Sequence, residues 1–236
     1  MIRKICFMTI NSHTLVFFFL VQSLLFLCVG PNSSILDTLG GFTATGSVDV
    51  LGTIRWNLCI LPPVLVSTVF FAREIGSMYI FTLLRVKSVS QWYRAHFFAI
   101  YFINIVYFFA TLCYGFVYTF HPHYSLRELL LFGMQFTFHT TMVSFLSIFS
   151  RILIKSVHAS LVTFLFVEGF GVVVGSVIPK ASPYLLGYWG MANNANYLFD
   201  SESKHFAFTQ GFTFAFTVIL ASIAIAYLKK HDPREE

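Results

Sequence analysis

Charged residues are scarce in this sequence: Asp, Glu, Lys and Arg make up only 11% of its 236 residues. Ten acidic and fifteen basic side chains are too few to give a soluble protein of this length its polar surface. Hydrophobic residues make up 57% of the chain, and the mean hydropathy is +0.76. The composition therefore predicts an integral membrane protein.

Paired cysteines are also lacking. Cys6, Cys28, Cys59 and Cys113 stand singly, without the CxxC spacing of zinc sites. Neither a metal centre nor a disulfide framework is indicated. A bridge between Cys28 and Cys59 near the outer membrane edge stays open, because a sequence does not reveal which cysteines pair.

Catalytic signatures are missing as well. The chain has no GxxxxGK[ST] phosphate-binding loop, so any ATP chemistry must come from another polypeptide. It shows no Ser-His-Asp arrangement and no paired carboxylates, and His121 with His123 lack a third metal ligand nearby. We therefore predict no catalytic residue, no metal site and no enzyme activity for this chain.

What the sequence does contain is a series of long apolar segments. Six of them reach or approach the roughly 20 residues that a helix needs to cross the hydrocarbon core. They lie at 14–30, 56–72, 96–118, 129–149, 159–178 and 206–228. The predicted fold is an all-α membrane protein, a single transmembrane domain over residues 1–236 with six transmembrane helices.

The first 13 residues precede the first apolar segment and carry Arg3 and Lys4. A basic start followed by an apolar run resembles a secretory signal, but this run ends in Val-Gly-Pro without a small-x-small cleavage site. We therefore favour a retained first span, preceded by a short interfacial helix on the inner membrane surface.

Positive charge distinguishes alternate connections between the spans. With both termini in the cytoplasm, the inner segments hold eleven Lys and Arg residues: Arg3, Lys4, Arg73, Arg85, Lys87, Arg94, Arg151, Lys155, Lys229, Lys230 and Arg234. The outer segments then hold four: Arg55, Arg127, Lys180 and Lys204. This excess predicts cytoplasmic termini. Topology thus explains the net charge of +5, and no nucleic-acid partner is predicted.

The segment REIGSMYIFTLLRVKSVSQWYRAH, residues 73–96, lies on the inner side of this topology, between the second and third spans. At about 100° per residue, Lys87, Gln91 and Arg94 share one helix face, and apolar side chains occupy the opposite face. An ordinary interfacial helix anchored by Trp92 would show the same pattern. Periodicity therefore predicts an amphipathic cytoplasmic element and leaves its role open.

The order of elements and the sequence REIG...LLRVKSVSQWYRAHF resemble those of the small bacterial permease subunits of ABC-2-type ABC transporters. In that family the loop between the second and third spans carries an acidic residue, then an Arg, a Lys/Arg-Ser pair and a Trp. The matching positions here are Glu74, Arg85, Lys87, Ser88 and Trp92. The resemblance extends over the whole chain in the order of its elements and over about 25 residues in sequence.

The resemblance implies a permease subunit of an ATP-driven exporter in the bacterial cell membrane. Such a subunit would move a hydrophobic or amphipathic substrate, for instance a peptide, by alternating access. Cytoplasmic ABC ATPase subunits would bind the ATP and magnesium, this chain would hold no cofactor, and a second permease copy or relative would complete the pore within the membrane lipid.

In this interpretation residues 73–96 form the coupling helix, which docks against the ATPase. The expected contacts to the ATPase are Arg73, Glu74, Arg85, Lys87, Ser88, Gln91 and Trp92. The alternative is a membrane sensor or immunity protein that works by binding and transports nothing.

Glu168 is the other candidate functional residue, because an ionisable group inside a span is costly and usually has a partner or lines a path. A hydrogen-bonded packing residue is the alternative. Gly171 and Gly175 have the small-xxx-small spacing that allows close helix packing. His139 and Gln135, on one side of the fourth span, are predicted to be polar packing groups.

Overall fold

The computed structural model describes residues 12–29, 39–76, 89–118, 126–192 and 202–230. These residues form helices and no β-strand, which confirms the all-α prediction for this part of the chain. The α-helices are α1 (Ser12–Val29), α2 (Val50–Gly76), α3 (Val89–Tyr118), α4 (Leu126–Ile154), α5 (Val157–Phe164), α6 (Gly171–Val177) and α7 (Glu202–Lys230). A π-helical turn (Leu165–Phe170) joins α5 to α6, and two 3-10 turns follow α6 at Pro179–Tyr184 and Leu186–Gly190.

Five stretches of the described chain are long and apolar enough to cross a membrane. They are Val50–Ala72, Arg94–Cys113, Leu129–Ile154, His158–Val177 and Lys204–Leu228, which correspond to the predicted second to sixth spans. The predicted first span coincides with α1, which is not among these five, so the count of six remains a prediction. The interfacial helix expected before it falls almost wholly outside the described residues.

The second span begins earlier than the sequence suggested. We expected a connection up to residue 55, but α2 starts at Val50. Asp49 explains the difference: its Oδ1 accepts a hydrogen bond from the backbone N–H of Gly52 at 2.8 Å, as a helix-capping carboxylate does. Arg55 therefore belongs to the helix, and the prediction of a loop at this position is wrong.

The third helix is continuous from Val89 to Tyr118. Gln91, Trp92 and Arg94 thus lie in its first turns and not in a separate amphipathic helix. Residues 77–88, the middle of the 73–96 segment for which the coupling helix was predicted, lie outside the described part of the chain. A separate coupling helix therefore remains a prediction.

Helix α4 lies at the centre of the bundle and contacts α2, α3, α5 and α7. Hydroxyl side chains are buried along it, and several donate to its own backbone. Thr140 Oγ1 donates to the carbonyl of Phe136 at 2.9 Å, and Ser144 Oγ donates to that of Thr140 at 2.7 Å. Such back-bonding pairs these two hydroxyls inside the bundle, whereas Thr141 Oγ1 and Ser147 Oγ of the same helix are buried without a hydrogen-bond partner among the described residues.

Side-chain hydrogen bonds between α4 and other elements lie on either side of this hydroxyl stretch. Ser160 Oγ, from α5, donates to the carbonyl of Ser147 at 2.8 Å. Towards the start of α4, Gln135 and His139 bond to groups outside the helix. The neighbouring apolar core includes Cys59 as a buried free thiol.

Candidate functional site

A buried carboxylate joins three of the candidate spans. Glu168 Oε1 lies 2.8 Å from His139 Nε2, and Glu168 Oε2 accepts a hydrogen bond from Trp56 Nε1 at 2.8 Å. The exposed fractions are 0% for Glu168 and 1% for each of the other two residues. Ionisable groups inside membrane proteins commonly pair with one another, and this cluster satisfies both carboxylate oxygens.

Glu168 lies in the π-helical turn Leu165–Phe170, where the helix is locally wider. The turn exposes the backbone carbonyl of Glu168 to α2. Asn57 Nδ2 donates to that carbonyl at 3.4 Å and to the carbonyl of Thr53 at 2.8 Å. Both the side chain and the backbone of Glu168 therefore contact α2.

The second 3-10 turn, Leu186–Gly190, covers the cluster. A Cβ atom on Gly190 would overlap the His139 ring and would lie 2.9 Å from Trp56 Cζ2. Only glycine allows this backbone to approach both rings so closely. Gln135 Nε2 adds a hydrogen bond to the carbonyl of Trp189 at 3.0 Å, so α4 holds the turn in place.

The hydrogen bond between His139 and Glu168 contains one proton, carried by the imidazole or by the carboxyl group. His139 Nδ1 is buried and has no hydrogen-bond partner among the described residues. Within that part of the chain no three His, Cys, Asp or Glu side chains lie close enough to share a metal ion. The cluster is therefore a set of hydrogen bonds that links helices, and His139 Nδ1 has no partner in it.

The two predicted glycines have different surroundings. The ring of Tyr188 packs directly on Gly175, where a Cβ would lie 2.9 Å from Tyr188 Cδ2 and closer still to Cε2. A Cβ on Gly171 would meet only the carbonyl of Phe166, at 3.5 Å. Tyr188 also donates its hydroxyl hydrogen to the carbonyl of Val172 at 3.1 Å. The space at Gly175 thus accommodates the 3-10 turns rather than another transmembrane helix.

The predicted ATPase contacts lie away from this cluster. Arg73 and Glu74 fall in the last turn of α2, at least 17 residues beyond Trp56, which is about 25 Å along the helix. Arg85, Lys87 and Ser88 lie outside the described residues. Gln91 and Trp92 are in the first turn of α3, where Gln91 is exposed. The ATPase-contact positions that the structure describes therefore lie apart from the Glu168 cluster.

An apolar groove runs between α3, α4 and α7, with a volume of about 510 Å³. Most of its lining side chains are aromatic or aliphatic. The polar lining consists of one arginine and three Ser or Thr side chains. The full lining is Arg94, Phe97, Phe98, Tyr101, Phe138, Thr141, Phe145, Phe214, Thr217, Val218, Ala221, Ser222 and Ile225. This volume lies within the roughly 300–1,000 Å³ of typical ligand sites.

Sequence reasoning singled out Glu168 but missed its partners. The rule that intramembrane ionisable groups pair would have suggested His139, the histidine near the middle of the fourth span. No local signal points to Trp56, which is 112 residues away in the chain. The groove was missed because its lining comes from three helices that only the tertiary fold brings together.

No protein-family model matches this chain, and comparisons with curated proteins and with solved structures also find no match. The resemblance of residues 73–96 to one permease family therefore rests on the sequence pattern alone.

Proposed function

We propose that this chain is the membrane-spanning permease subunit of an ATP-driven ABC-2-type exporter in the bacterial cell membrane. The observation that carries the proposal is the sequence pattern of residues 73–96 together with the position of this segment between two spans. That segment begins in the last turn of one membrane-length helix, α2, and ends in the first turns of the next, α3. It therefore falls where two neighbouring spans meet one face of the membrane.

The groove supports a hydrophobic or amphipathic cargo, such as a peptide. Its rim contains side chains that are well exposed, such as Phe98 at 61% and Phe214 at 57%, so a molecule can enter it sideways. A polar solute would find few hydrogen-bond partners there. In the proposal, alternating access changes the packing around such a cargo.

The energy source in this proposal is a separate pair of ATPase subunits with ATP and magnesium. They would dock on residues 73–94 from the cytoplasm, and a second permease copy or relative would complete the pore. The predicted positive-inside topology agrees with this arrangement, since it places Arg85 and Lys87 on the cytoplasmic side.

Co-purification tests the proposal. The tagged chain, expressed from its own locus with the neighbouring genes, should bring down a Walker-type ATPase after mild detergent extraction. If the purified chain carries no ATPase but keeps a tightly bound membrane ligand, the transporter proposal fails and a sensor or immunity protein takes its place.

A double charge reversal tests the docking surface. Arg85→Glu with Lys87→Glu should abolish ATPase co-purification, because both changes replace attraction to the partner by repulsion. The matched control is Arg127→Glu with Lys180→Glu, two exposed positions on the predicted outer side. Equal ATPase recovery with the two double variants would refute the docking role.

A further inference from the structure

Helix α1 contacts α3 through two fully buried side chains, Phe18 and Gln22, which share one face of the helix. Every other α1 side chain that the structure describes is half-buried or exposed. The ring of Phe18 packs edge-on against the ring of Tyr107, with 4.7 Å between the centroids. The side chain of Gln22 lies beside the Tyr107 hydroxyl. Tyr107 is therefore the residue of α3 on which the buried face of α1 rests.

Gln22 is also hydrogen-bonded to α3 one turn beyond Tyr107. Its Nε2 donates to Thr111 Oγ1, which is 2.6 Å away, and Thr111 Oγ1 donates in turn to the backbone carbonyl of Tyr107 at 2.9 Å. The side chains of Gln22, Tyr107 and Thr111 are all 0% exposed. An amide, a phenol and an alcohol are thus enclosed together between α1 and α3, beside a core that includes Phe18 and Cys59.

Two polar atoms of this cluster have no hydrogen-bond partner among the described residues: Gln22 Oε1 and the Tyr107 hydroxyl oxygen. The hydroxyl lies near the side chains of Gln22 and Thr111, but with neither does it have the geometry of a hydrogen bond. Buried polar atoms in folded proteins are nearly always paired, because an unpaired one has lost its hydration without compensation. Two such atoms in one enclosed cluster indicate a ligand that pairs them.

The unused hydrogen-bonding capacity of the three side chains defines this ligand. Tyr107 has a free O–H donor, and Gln22 Oε1 has free lone pairs. Thr111 Oγ1 keeps one lone pair after it accepts from Gln22 and donates to the Tyr107 carbonyl. A ligand that accepts once and donates twice would pair all three groups. One water molecule has this capacity, and buried waters typically make about three hydrogen bonds.

A metal cation matches the cluster less well than water. The three side chains are an amide, a phenol and an alcohol, and none of them carries a fixed charge. A cation enclosed among them would lose its hydration without a counter-charge, which is costly inside a protein. The free O–H of Tyr107 could not donate to a cation either. The chemistry of the cluster therefore favours a neutral ligand that has both donors and an acceptor.

We propose that this cluster binds one internal water molecule, which accepts from the Tyr107 hydroxyl and donates to Gln22 Oε1 and Thr111 Oγ1. The water pairs both buried atoms and adds a second polar link between α1 and α3, next to the direct hydrogen bond from Gln22 to Thr111. The site requires only the folded bundle. It is therefore independent of the proposed export function.

Tyr107→Phe distinguishes a paired hydroxyl from an unpaired one. If water bridges the cluster, the variant loses a hydrogen bond, and the equilibrium constant for unfolding should rise about fivefold. If the hydroxyl has no partner, its removal relieves a desolvation cost, and the constant should fall or stay unchanged. Denaturant unfolding of the full chain in detergent measures the constant, and a fall or no change would overturn the proposal.

Tyr101→Phe is the matched control, because Tyr101 is a half-buried tyrosine on the same helix and outside the cluster. This variant should change the unfolding constant less than about twofold. A rise as large as that of Tyr107→Phe would show that loss of any tyrosine hydroxyl from α3 weakens the fold, and the proposal would lose its support.

An experimental structure of the native protein, at a resolution that shows ordered water, identifies the ligand directly. One density peak should lie within hydrogen-bonding distance of Gln22 Oε1, Thr111 Oγ1 and the Tyr107 hydroxyl. A direct hydrogen bond between Tyr107 and Gln22, with no peak between the three groups, would overturn the proposal. Exchange of Na⁺ for K⁺ or choline at constant ionic strength should leave the melting temperature unchanged, whereas stabilisation by one of the metal ions would identify a cation instead.

Discussion

Glu168 shows how the bundle accommodates a fully buried carboxyl group. Burial of an unpaired carboxylate costs several kcal/mol, but here each oxygen has a hydrogen-bond donor or shares a proton at 2.8 Å. The donors come from two other spans, so satisfaction of the carboxylate also fixes the relative positions of α2, α4 and the π-helical turn. Glu168 therefore orders three elements at once.

Removal of the carboxylate should be costly. We expect Glu168→Ala to lower the free energy of unfolding by about 3–5 kcal/mol, because Trp56 Nε1 and His139 lose their common partner inside the bundle. Thermal unfolding of the purified protein in detergent measures the change. Glu168→Gln is the matched variant: its carbonyl oxygen still accepts from Trp56, so the loss should be clearly smaller.

A double-mutant cycle measures whether Glu168 and Trp56 stabilise the fold through their mutual contact. Glu168→Ala combined with Trp56→Phe should show a coupling energy of about 0.5–3 kcal/mol, because each single change removes the hydrogen bond between them. Additive effects, or an Ala variant that unfolds at the native temperature, would show that the cluster contributes nothing to the fold.

At the scale of elements, the two 3-10 turns after α6 make an intimate contact with that helix. Tyr188 packs on Gly175 and hydrogen bonds to the carbonyl of Val172. The residues of this segment looked like a moderately polar outer connection in the sequence, yet Tyr188 and Met191 are 1% and 2% exposed. Hydropathy averaged over a window does not reveal such packing, because it depends on which residues the chain reversal brings against α6.

A methyl group at Gly175 should disrupt this contact. Gly175→Ala places a Cβ against the Tyr188 ring, and we expect overpacking to cost about 1–3 kcal/mol of unfolding free energy. Gly211→Ala is the control, since a Cβ on this exposed α7 residue meets nothing within 4 Å and should stabilise the helix by up to about 1 kcal/mol. Melting temperatures that move in the same direction for both variants would contradict the close packing.

Ionisation of the Tyr188 hydroxyl should make the free energy of unfolding depend on pH. Burial raises the pKa of Tyr188 to about 12, and the residue lies outside the candidate membrane spans. Because this folded-state pKa exceeds the unfolded value of about 10, its contribution is fully present below pH 10 and is lost as pH rises towards 12. Native protein should therefore exceed Tyr188→Phe in stability by about 0.5–1.5 kcal/mol at pH 8, and the difference should shrink by pH 11.

Chemical denaturation at the two pH values measures this difference. Tyr184→Phe serves as the control, because Tyr184 is 72% exposed and only four residues away. A difference that is constant with pH, or one that Tyr184→Phe reproduces, would show that ionisation of Tyr188 is not involved.

At the scale of the whole molecule, the orientation of the bundle remains a prediction from charge counts. We expect residue 88 to be cytoplasmic and residue 201 to be external. In a variant without native cysteines, a membrane-impermeant maleimide should label Ser201→Cys in intact cells and Ser88→Cys only after permeabilisation. The reverse pattern would place both termini outside and would remove the predicted ATPase-binding surface from the cytoplasm.

The class of fold could be predicted from the sequence because five apolar segments are long enough to span a membrane even if their ends are misplaced by a few residues. It predicted boundaries less well, as at Val50, where the capping by Asp49 extends the helix beyond its apolar part. The partners of Glu168 and the lining of the groove depend on which helices become neighbours. Those neighbours are set by packing between segments far apart in the chain, which a single-sequence pattern does not encode.

The central helix α4 has one further mechanical property. Between its interhelical bonds at His139 and Ser147, the Thr140 and Ser144 hydroxyls bond to the backbone of α4 itself. Rotation of α4 about its axis would therefore break no interhelical hydrogen bond made by these two hydroxyls, and between residues 139 and 147 it would be opposed by apolar packing, such as that of Phe145 on Phe97. The hydrogen bonds that fix the rotation of α4 lie at two levels eight residues apart, one of them the Glu168 cluster, and loss of either would act on the helices that α4 contacts.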